Sequence, residues 1–123
     1  MIEFVFWLYL LNATLVIVHE IDSAYWEEWK LFHLPSGEAG FLLLHIPLLM
    51  TVLYGLVLIE RVVQAGLILS IALSLCGLFA FSIHTFFIHR GHPEFKTPVS
   101  LGILWIILLV SLAQFSLTVA MLV

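Results

Sequence analysis

Four long apolar segments, separated by short polar stretches, make up most of this chain. They run over about residues 2–19, 37–59, 62–88 and 98–123. Each is about long enough to cross a hydrocarbon core roughly 30 Å thick. None alternates apolar and polar residues with a period of two, so the pattern favours helices over a membrane barrel. We therefore predict an all-α integral membrane four-helix bundle, with residues 1–123 forming a single transmembrane domain.

Short signals at the predicted helix ends support these boundaries. Ser36 precedes a carboxylate in the first turn of the second segment, as an N-cap residue would. Thr97 precedes Pro98, which suits the first helical position of the fourth segment. Residues 25–32 mix aromatic and charged side chains and are too short to span, which predicts a short interfacial helix between helices one and two.

Composition agrees with a membrane protein and excludes several other classes. Hydrophobic residues make up 63% of the chain and charged residues 10%, with a mean hydropathy of +1.21. A soluble domain carries about 25% charged residues. With four Lys and Arg and a net charge of −4, the chain has no basic patch for nucleic acid. Its one cysteine excludes an intramolecular disulfide. The first seven residues carry no basic side chain, so we expect a retained helix rather than a cleaved signal peptide.

The order of the spans gathers the ionisable residues on one side of the membrane. We call the side where the first segment begins side A and the opposite side B. Segment one ends on side B, segment two begins there, segment three returns there, and segment four begins there. The residues expected in the B half therefore include all six histidines, His19, His33, His45, His84, His89 and His92. Side A carries only Glu3, Glu60 and Arg61.

His19 and Asp22 form the first candidate pair. On a helix that continues past His19, the two side chains lie three residues apart on one face. Such a pair offers a metal one nitrogen and one oxygen ligand. The alternative is an interfacial histidine hydrogen-bonded to an aspartate, with no metal.

His45 lies inside an otherwise apolar span, where an ionisable side chain is costly and usually faces the bundle interior with a partner. Glu38 lies two turns earlier on the same face. A structural role is the alternative, in which His45 binds a carbonyl freed by Pro47.

His84 shares a helix face with the small residues Ser70, Ser74 and Gly77, which permit close helix packing, so we expect it to point inward. His89 faces elsewhere and is expected at the interface.

The polar residues outside the spans leave more alternatives open. The loop containing His92 and Glu94 either closes over the site as a lid, supplies a ligand, or is a solvated loop. Glu27 and Glu28 are expected to form a solvated face of the interfacial helix.

The joint position of these residues predicts a metal site near side B. The predicted metal ligands are His19, Asp22, His45, His84 and His92, and the predicted catalytic carboxylates are Glu20 and Glu94. Imidazole and carboxylate ligands without cysteine suit a divalent metal, with zinc favoured over iron. A site with two metals forms if Glu20, Glu38, His92 and Glu94 join these ligands. The metal would activate a water and polarise a substrate carbonyl, with a glutamate as general base.

Three functions fit this pattern. The first is a metal-dependent membrane enzyme, most simply a hydrolase, acting on a lipid or lipid-like substrate. The second is a haem protein with His45 and His84 as axial ligands. The third is a small structural or assembly subunit of a membrane complex. The chain is also a candidate for association into a homo-oligomer. Three basic residues on side B against one on side A place the site side in the cytoplasm.

The stretches HEIDSAYWEEW (19–29), HIPL (45–48) and HPEF (92–95) resemble a family of small, uncharacterised, four-helix bacterial integral membrane proteins. Its pattern is HEID…EW…HIPL…GHPEF. The resemblance covers most of the chain and implies a multi-pass protein of the bacterial inner membrane, with no established activity. It implies that His19, Glu20, Asp22, Trp29, His45, His92, Pro93 and Glu94 belong to one pattern. The set of histidines and an aspartate is also similar in kind to the zinc-binding residues of seven-helix ceramidase-like hydrolases. The His-x-x-His-His boxes of membrane hydroxylases and desaturases are absent from this chain.

Overall fold

The computed structural model describes residues 1–123 and contains only helices. The five helices are α1 (Ile2–Tyr25), α2 (Glu28–Leu31), α3 (Gly37–Glu60), α4 (Gln64–His89) and α5 (Pro98–Leu122). The four long helices have 24 to 26 residues and mean hydropathies of 1.7 to 2.4, so each is long and apolar enough to cross a membrane. The prediction of an all-α membrane four-helix bundle is confirmed, and the chain is a multi-pass membrane protein.

The long helices form an antiparallel bundle in which α1 and α4 hold the centre. Each of these two helices packs against the other three long helices, whereas α3 and α5 do not contact one another. Helices α1 and α4 therefore meet across a diagonal of the bundle. Side chains on these two helices are the ones best placed to come together inside it.

The hairpin between α3 and α4 is tight because small residues allow a close approach. Only three residues separate the helices, and Val62 adopts a left-handed conformation with φ +54°. A Cβ atom placed on Gly66 would lie 2.6 Å from the backbone nitrogen of Ile59. The two helices can pack this closely only if residue 66 has no side chain.

The first helix and the segment after it differ from the sequence prediction. Helix α1 continues six residues beyond His19, because no glycine or proline interrupts the chain there. The interfacial helix is correspondingly shorter, since Glu27 adopts a left-handed conformation with φ 55° and only four residues after it are helical. At the start of α3, Ser36 is the N-cap residue with Glu38 in the first turn, as predicted, although its side chain makes no cap hydrogen bond. The Thr97 cap is confirmed, since its hydroxyl accepts from the Ser100 amide at 3.1 Å.

A buried polar network ties α1, α4 and α5 together within the bundle. The Asn12 amide donates to Gln114 Oε1 at 2.8 Å and to the Ser111 hydroxyl at 3.1 Å. The Gln114 amide in turn donates to the carbonyl and hydroxyl oxygens of Ser70, both at 3.0 Å, and Ser70 contacts the Thr118 hydroxyl at 2.9 Å. All five side chains are fully buried, and each has hydrogen-bond partners. Polar pairs of this kind hold helices in register inside a membrane.

Candidate functional site

Two histidines meet at the side-B end of the bundle, one from each central helix. The ring centroids of His19 on α1 and His84 on α4 are 4.5 Å apart, with the rings nearly perpendicular. Exposure is only 1% for His19 and 2% for His84. The small residues Ser74 and Gly77 on the same face of α4 are also buried, as expected for the close-packed side. The inward orientation expected for His84 is therefore present in the structure.

The backbone sets the tautomer of His84. Its Nδ1 lies 2.8 Å from the Ala80 carbonyl oxygen, which can only accept, so Nδ1 carries the hydrogen. In the neutral ring, Nε2 then carries a lone pair that points away from its own helix. Histidines that bind metals commonly use this arrangement, in which a backbone carbonyl orients the ring through the second nitrogen.

Glu28 faces His84 from the short helix α2. One carboxylate oxygen, Oε1, lies 3.9 Å from His84 Nε2, too far for a hydrogen bond. Only 8% of Glu28 is exposed, so the prediction that it lies on a solvated face was wrong. Its neighbour Glu27 is exposed and pairs with Lys30 at 2.6 Å, as expected. The left-handed backbone of Glu27 separates the two neighbours, and no sequence signal indicated which of them would be buried.

Burial is the main reason that the pKa of Glu28 is raised above its ordinary value of 4.5. Charge on Glu20 raises the pKa further, while the Ser23 hydroxyl and the histidines His84 and His45 oppose the shift. Glu28 is therefore a carboxyl group for which ionisation is unfavourable until a positive charge lies beside it.

Several polar atoms at this end of the bundle are buried without a hydrogen-bond partner. We define the histidine cluster as His19, Ser23, Glu28 and His84. Its unpartnered atoms are both nitrogens of His19, Ser23 Oγ, Glu28 Oε2 and His84 Nε2. Glu94 Oε2, in the loop between α4 and α5, is in the same condition. Each such atom costs about 1–3 kcal/mol, and native proteins usually resolve the cost with a bound water, ion or ligand.

His45 and Glu20 form a separate pair that joins α3 to α1. His45 Nδ1 donates to the Phe41 carbonyl at 2.7 Å, and His45 Nε2 lies 2.5 Å from Glu20 Oε2. Since Nδ1 carries a hydrogen, the histidine and the carboxyl group share one further proton between Nε2 and Oε2. The carbonyl freed by Pro47 would be that of Leu43, four residues earlier, and His45 does not bind it. The partner of His45 is therefore Glu20, rather than Glu38, which is exposed.

Asp22 does not join the histidine cluster. Its Oδ1 accepts a hydrogen bond of 3.1 Å from Trp26 Nε1. It lines a largely apolar groove of about 450 Å³ between α1 and the start of α5, together with Val18, Ile21, Tyr25, Trp26, Thr97, Val99, Ser100 and Ile103. This placement matches the metal-free alternative for the aspartate, with Trp26 instead of His19 as its hydrogen-bonding partner.

His92 lies in the loop between α4 and α5 and is 44% exposed at its side chain. Its Nδ1 is 3.7 Å from Glu94 Oε2, and its ring packs on Phe87 with a centroid distance of 5.3 Å. His89 and His33 are exposed, as expected for His89.

The structure thus brings together some of the predicted site residues and not others. His19 meets His84, and Glu20 meets His45, whereas Asp22 and His92 lie apart from both pairs. As the side chains stand, no three His, Cys, Asp or Glu residues are placed to hold a metal ion together. The assignment of the five predicted metal ligands stays a prediction.

Comparison with known proteins supplies a family but no activity. No curated protein matches the chain, and no solved structure does. Residues 5–121 match a family described as "Family of unknown function (DUF6713)". Because this match covers almost the whole chain, the protein belongs to that family.

Proposed function

We propose that this protein binds a divalent metal ion at the side-B end of the bundle, through His19, His84 and Glu28. The observation that carries the proposal is the group of unpartnered polar atoms on these side chains, which are buried where no bulk water can reach them. Two imidazoles and a carboxylate form a ligand set typical of zinc, which also binds a water or substrate at its fourth position.

The distances support a metal ion after small side-chain rotations. Two ligand atoms held about 2.0–2.2 Å from a tetrahedral ion lie roughly 3.4 Å from each other. The measured separation between His84 Nε2 and Glu28 Oε1 is 3.9 Å, so a shift of about 0.5 Å would bring them to that spacing. The His19 ring packs against that of His84 at a centroid distance of 4.5 Å and has no hydrogen-bond partner, and a rotation of its side chain would be needed to aim a nitrogen at the same point.

Charge supports the same proposal. A buried carboxylate without a cation is costly, which is why the pKa of Glu28 is raised by burial. A divalent cation would offset this cost, and the two neutral imidazoles would ligate it without adding charge. The cluster contains no Lys or Arg that could serve instead, since Lys30 pairs with Glu27 at the surface.

An enzymatic role rests on the residues next to this cluster. A metal ion bound there would polarise a substrate carbonyl and activate a water. After losing the proton that it shares with His45, Glu20 would act as the base that accepts the proton of the water, while Glu94 would serve as a second carboxylate from the loop. The groove that contains Asp22 lies between α1 and the start of α5, and its largely apolar lining suits a lipid-like substrate. We infer a membrane hydrolase on this basis.

Metal analysis of the detergent-purified protein tests the metal site directly. We expect about one zinc per chain, and we expect His84→Ala and Glu28→Gln to lose most of it. His89→Ala is the matched control, because His89 lies on the same helix but is exposed. Substoichiometric metal in the wild type, or full retention in both variants, would refute the proposal.

The haem alternative has less support from the geometry. His45 Nε2 is engaged with Glu20 at 2.5 Å, so the atom that would bind haem iron is already paired. If the metal analysis fails, an assembly role in a membrane complex is the alternative, with the polar residues serving only in packing.

Orientation and location follow from charge and from the family resemblance. Lys30, Arg90 and Lys96 lie on side B and Arg61 on side A, and by the positive-inside rule this excess supports a cytoplasmic orientation of the histidine cluster. The HEID…GHPEF pattern supports a bacterial inner-membrane protein. A second copy of the chain within the membrane is compatible with the apolar outer faces of α3 and α5.

A further inference from the structure

One aromatic residue from a loop covers both histidines of the cluster. The Phe95 ring centroid lies 4.2 Å from that of His84 and 5.6 Å from that of His19. Only 1% of Phe95 is exposed, although it belongs to the loop between α4 and α5 and to neither helix. All four residues of the histidine cluster, by contrast, are carried by helices.

The backbone of Phe95 is in an unfavourable conformation. Its φ of 66° is in the left-handed region, which costs a residue with a side chain about 1–2 kcal/mol. A bulky residue remains in such a conformation only where its surroundings hold it there, and this kind of strain is concentrated at clamps and switch regions. Here, the packing of the ring against the two imidazoles compensates for the strain.

The loop that carries Phe95 is weakly attached. The amides of residues 94–97 donate no backbone hydrogen bond, and Pro93 has no amide hydrogen to donate. At the start of the loop, Gly91 adopts φ +90°, and a Cβ atom added there would meet nothing within 4 Å. A segment with few hydrogen bonds and an unobstructed glycine opens at low cost.

We propose that Phe95 is a gate through which an ion or small polar ligand reaches the histidine cluster from side B. In the closed state its ring excludes water from His19 and His84. When residues 91–96 swing outward, with Thr97 still capping α5, the strain at Phe95 is released and the two imidazoles become accessible. The metal part of this proposal rests on the proposed function, whereas the accessibility of the histidines does not depend on it.

Chemical modification tests the gate without any metal. Diethyl pyrocarbonate acylates accessible imidazole nitrogens, and peptide mass spectrometry resolves the rate for each histidine. In the metal-free wild type, we expect His33 and His89 to react quickly and the two cluster histidines slowly. Phe95→Ala should raise the reaction rates of His19 and His84 at least 10-fold. Phe95→Gly should do the same and fold more readily, because glycine adopts positive φ without strain.

The matched control is Phe81→Ala, one turn before His84 on the same helix. Phe81 packs on Trp105 at a centroid distance of 4.9 Å and makes no ring contact with the cluster histidines. The gate is refuted if both Phe95 variants leave the two rates within twofold of wild type. It is also refuted if Phe81→Ala raises them as much, since that would show a general loosening of the bundle.

Zinc exchange provides the second measurement. In zinc-loaded protein, Phe95→Gly should release the ion to a chelator at least 10-fold faster than wild type. If no variant binds zinc but the modification rates rise as expected, the metal proposal fails and the gate stands. If zinc binds and neither its release nor the modification rates change in the Phe95 variants, the gate fails and the metal site stands.

Discussion

Replacing Glu28 by glutamine separates the charge of this side chain from its shape. Glu28 is buried, and its pKa is raised above 4.5 chiefly by that burial, so the folded protein binds its proton more tightly than the unfolded chain does. The contribution of Glu28 to stability is therefore most favourable below its unfolded pKa. This contribution falls as the pH rises from the pKa of Glu28 in the unfolded chain to its pKa in the folded protein, and it is constant at higher pH. Glutamine cannot ionise, so Glu28→Gln should remove this decline.

The size of the effect follows from what surrounds the carboxylate. Oε2 has no hydrogen-bond partner within bonding geometry, Oε1 is 3.9 Å from the nearest imidazole nitrogen, and the nearby Ser23 hydroxyl offsets only part of the effect of burial on the pKa. Leaving a buried polar group unpartnered costs about 1–3 kcal/mol, and more if it is charged. In the presence of a chelator, Glu28→Gln should therefore be more stable than wild type at pH 8 by about 1–3 kcal/mol. At pH 4 the two proteins should be nearly equal.

Zinc should reverse the sign of the difference at pH 8. An ion present at 100 times its dissociation constant stabilises the folded state by about 2.7 kcal/mol, and glutamine is a poorer ligand than a carboxylate. Wild type should therefore gain most of this stabilisation and Glu28→Gln little of it.

The measurement is unfolding in detergent followed by tryptophan fluorescence, from pH 4 to pH 8, with chelator or with zinc. His84, His45 and Glu20 face Glu28 from α4, α3 and α1. They are present in both proteins, so the difference between the two curves isolates Glu28. Glu27→Gln is the control, since Glu27 is exposed and should show no such pattern. The reasoning is refuted if Glu28→Gln is destabilising by the same amount at every pH with chelator present.

Two further predictions concern packing and orientation. Gly66→Ala should destabilise the bundle by about 1–3 kcal/mol, because the added Cβ would lie 2.6 Å from the Ile59 backbone. Gly102→Ala is the control and should be neutral, because open space surrounds that residue. Equal effects of the two substitutions on thermal unfolding would contradict this prediction. In a chain whose own cysteine is replaced by serine, a membrane-impermeant thiol reagent applied to intact cells should label Glu60→Cys and not Gly91→Cys. The reverse pattern would place side B outside the cell.

The two polar clusters inside the bundle behave differently, and the contrast favours a functional role for the histidine cluster. In the network around Asn12 and Gln114, the polar side chains are all paired with one another or with the backbone. Around His19 and His84, most of the polar atoms have no partner. Both clusters are buried, so burial alone does not account for the difference. The metal ion that we propose for the histidine cluster would account for it.

Three of the four long helices were predicted closely from the sequence. Predicted spans of 37–59, 62–88 and 98–123 compare with Gly37–Glu60, Gln64–His89 and Pro98–Leu122 in the structure. Long apolar runs and end signals such as Thr97 and Pro98 are local, so they can be recognised without tertiary information. The end of α1 was misplaced because polar residues after His19 suggested that the helix stopped there, although polar residues can continue a helix beyond the membrane.

The pairing of site residues was harder to predict. The sequence indicated that His19, His45 and His84 lie at similar depth, because the order of spans fixes depth. Which of them would meet depends on the arrangement of the helices around the bundle. The diagonal contact of α1 with α4 brings His19 to His84, while the lateral contact of α1 with α3 brings Glu20 to His45.

The sequence by itself determined that this chain crosses a membrane four times and carries its histidines towards one face, because hydropathy and the order of spans are properties of the chain alone. The tertiary structure decided which polar groups are satisfied. Glu28 became a buried neighbour of His84 through one left-handed residue before it, and Phe95 covered the histidines through a loop conformation with no sequence signature. Both depend on contacts between residues far apart in the chain, which no local pattern encodes.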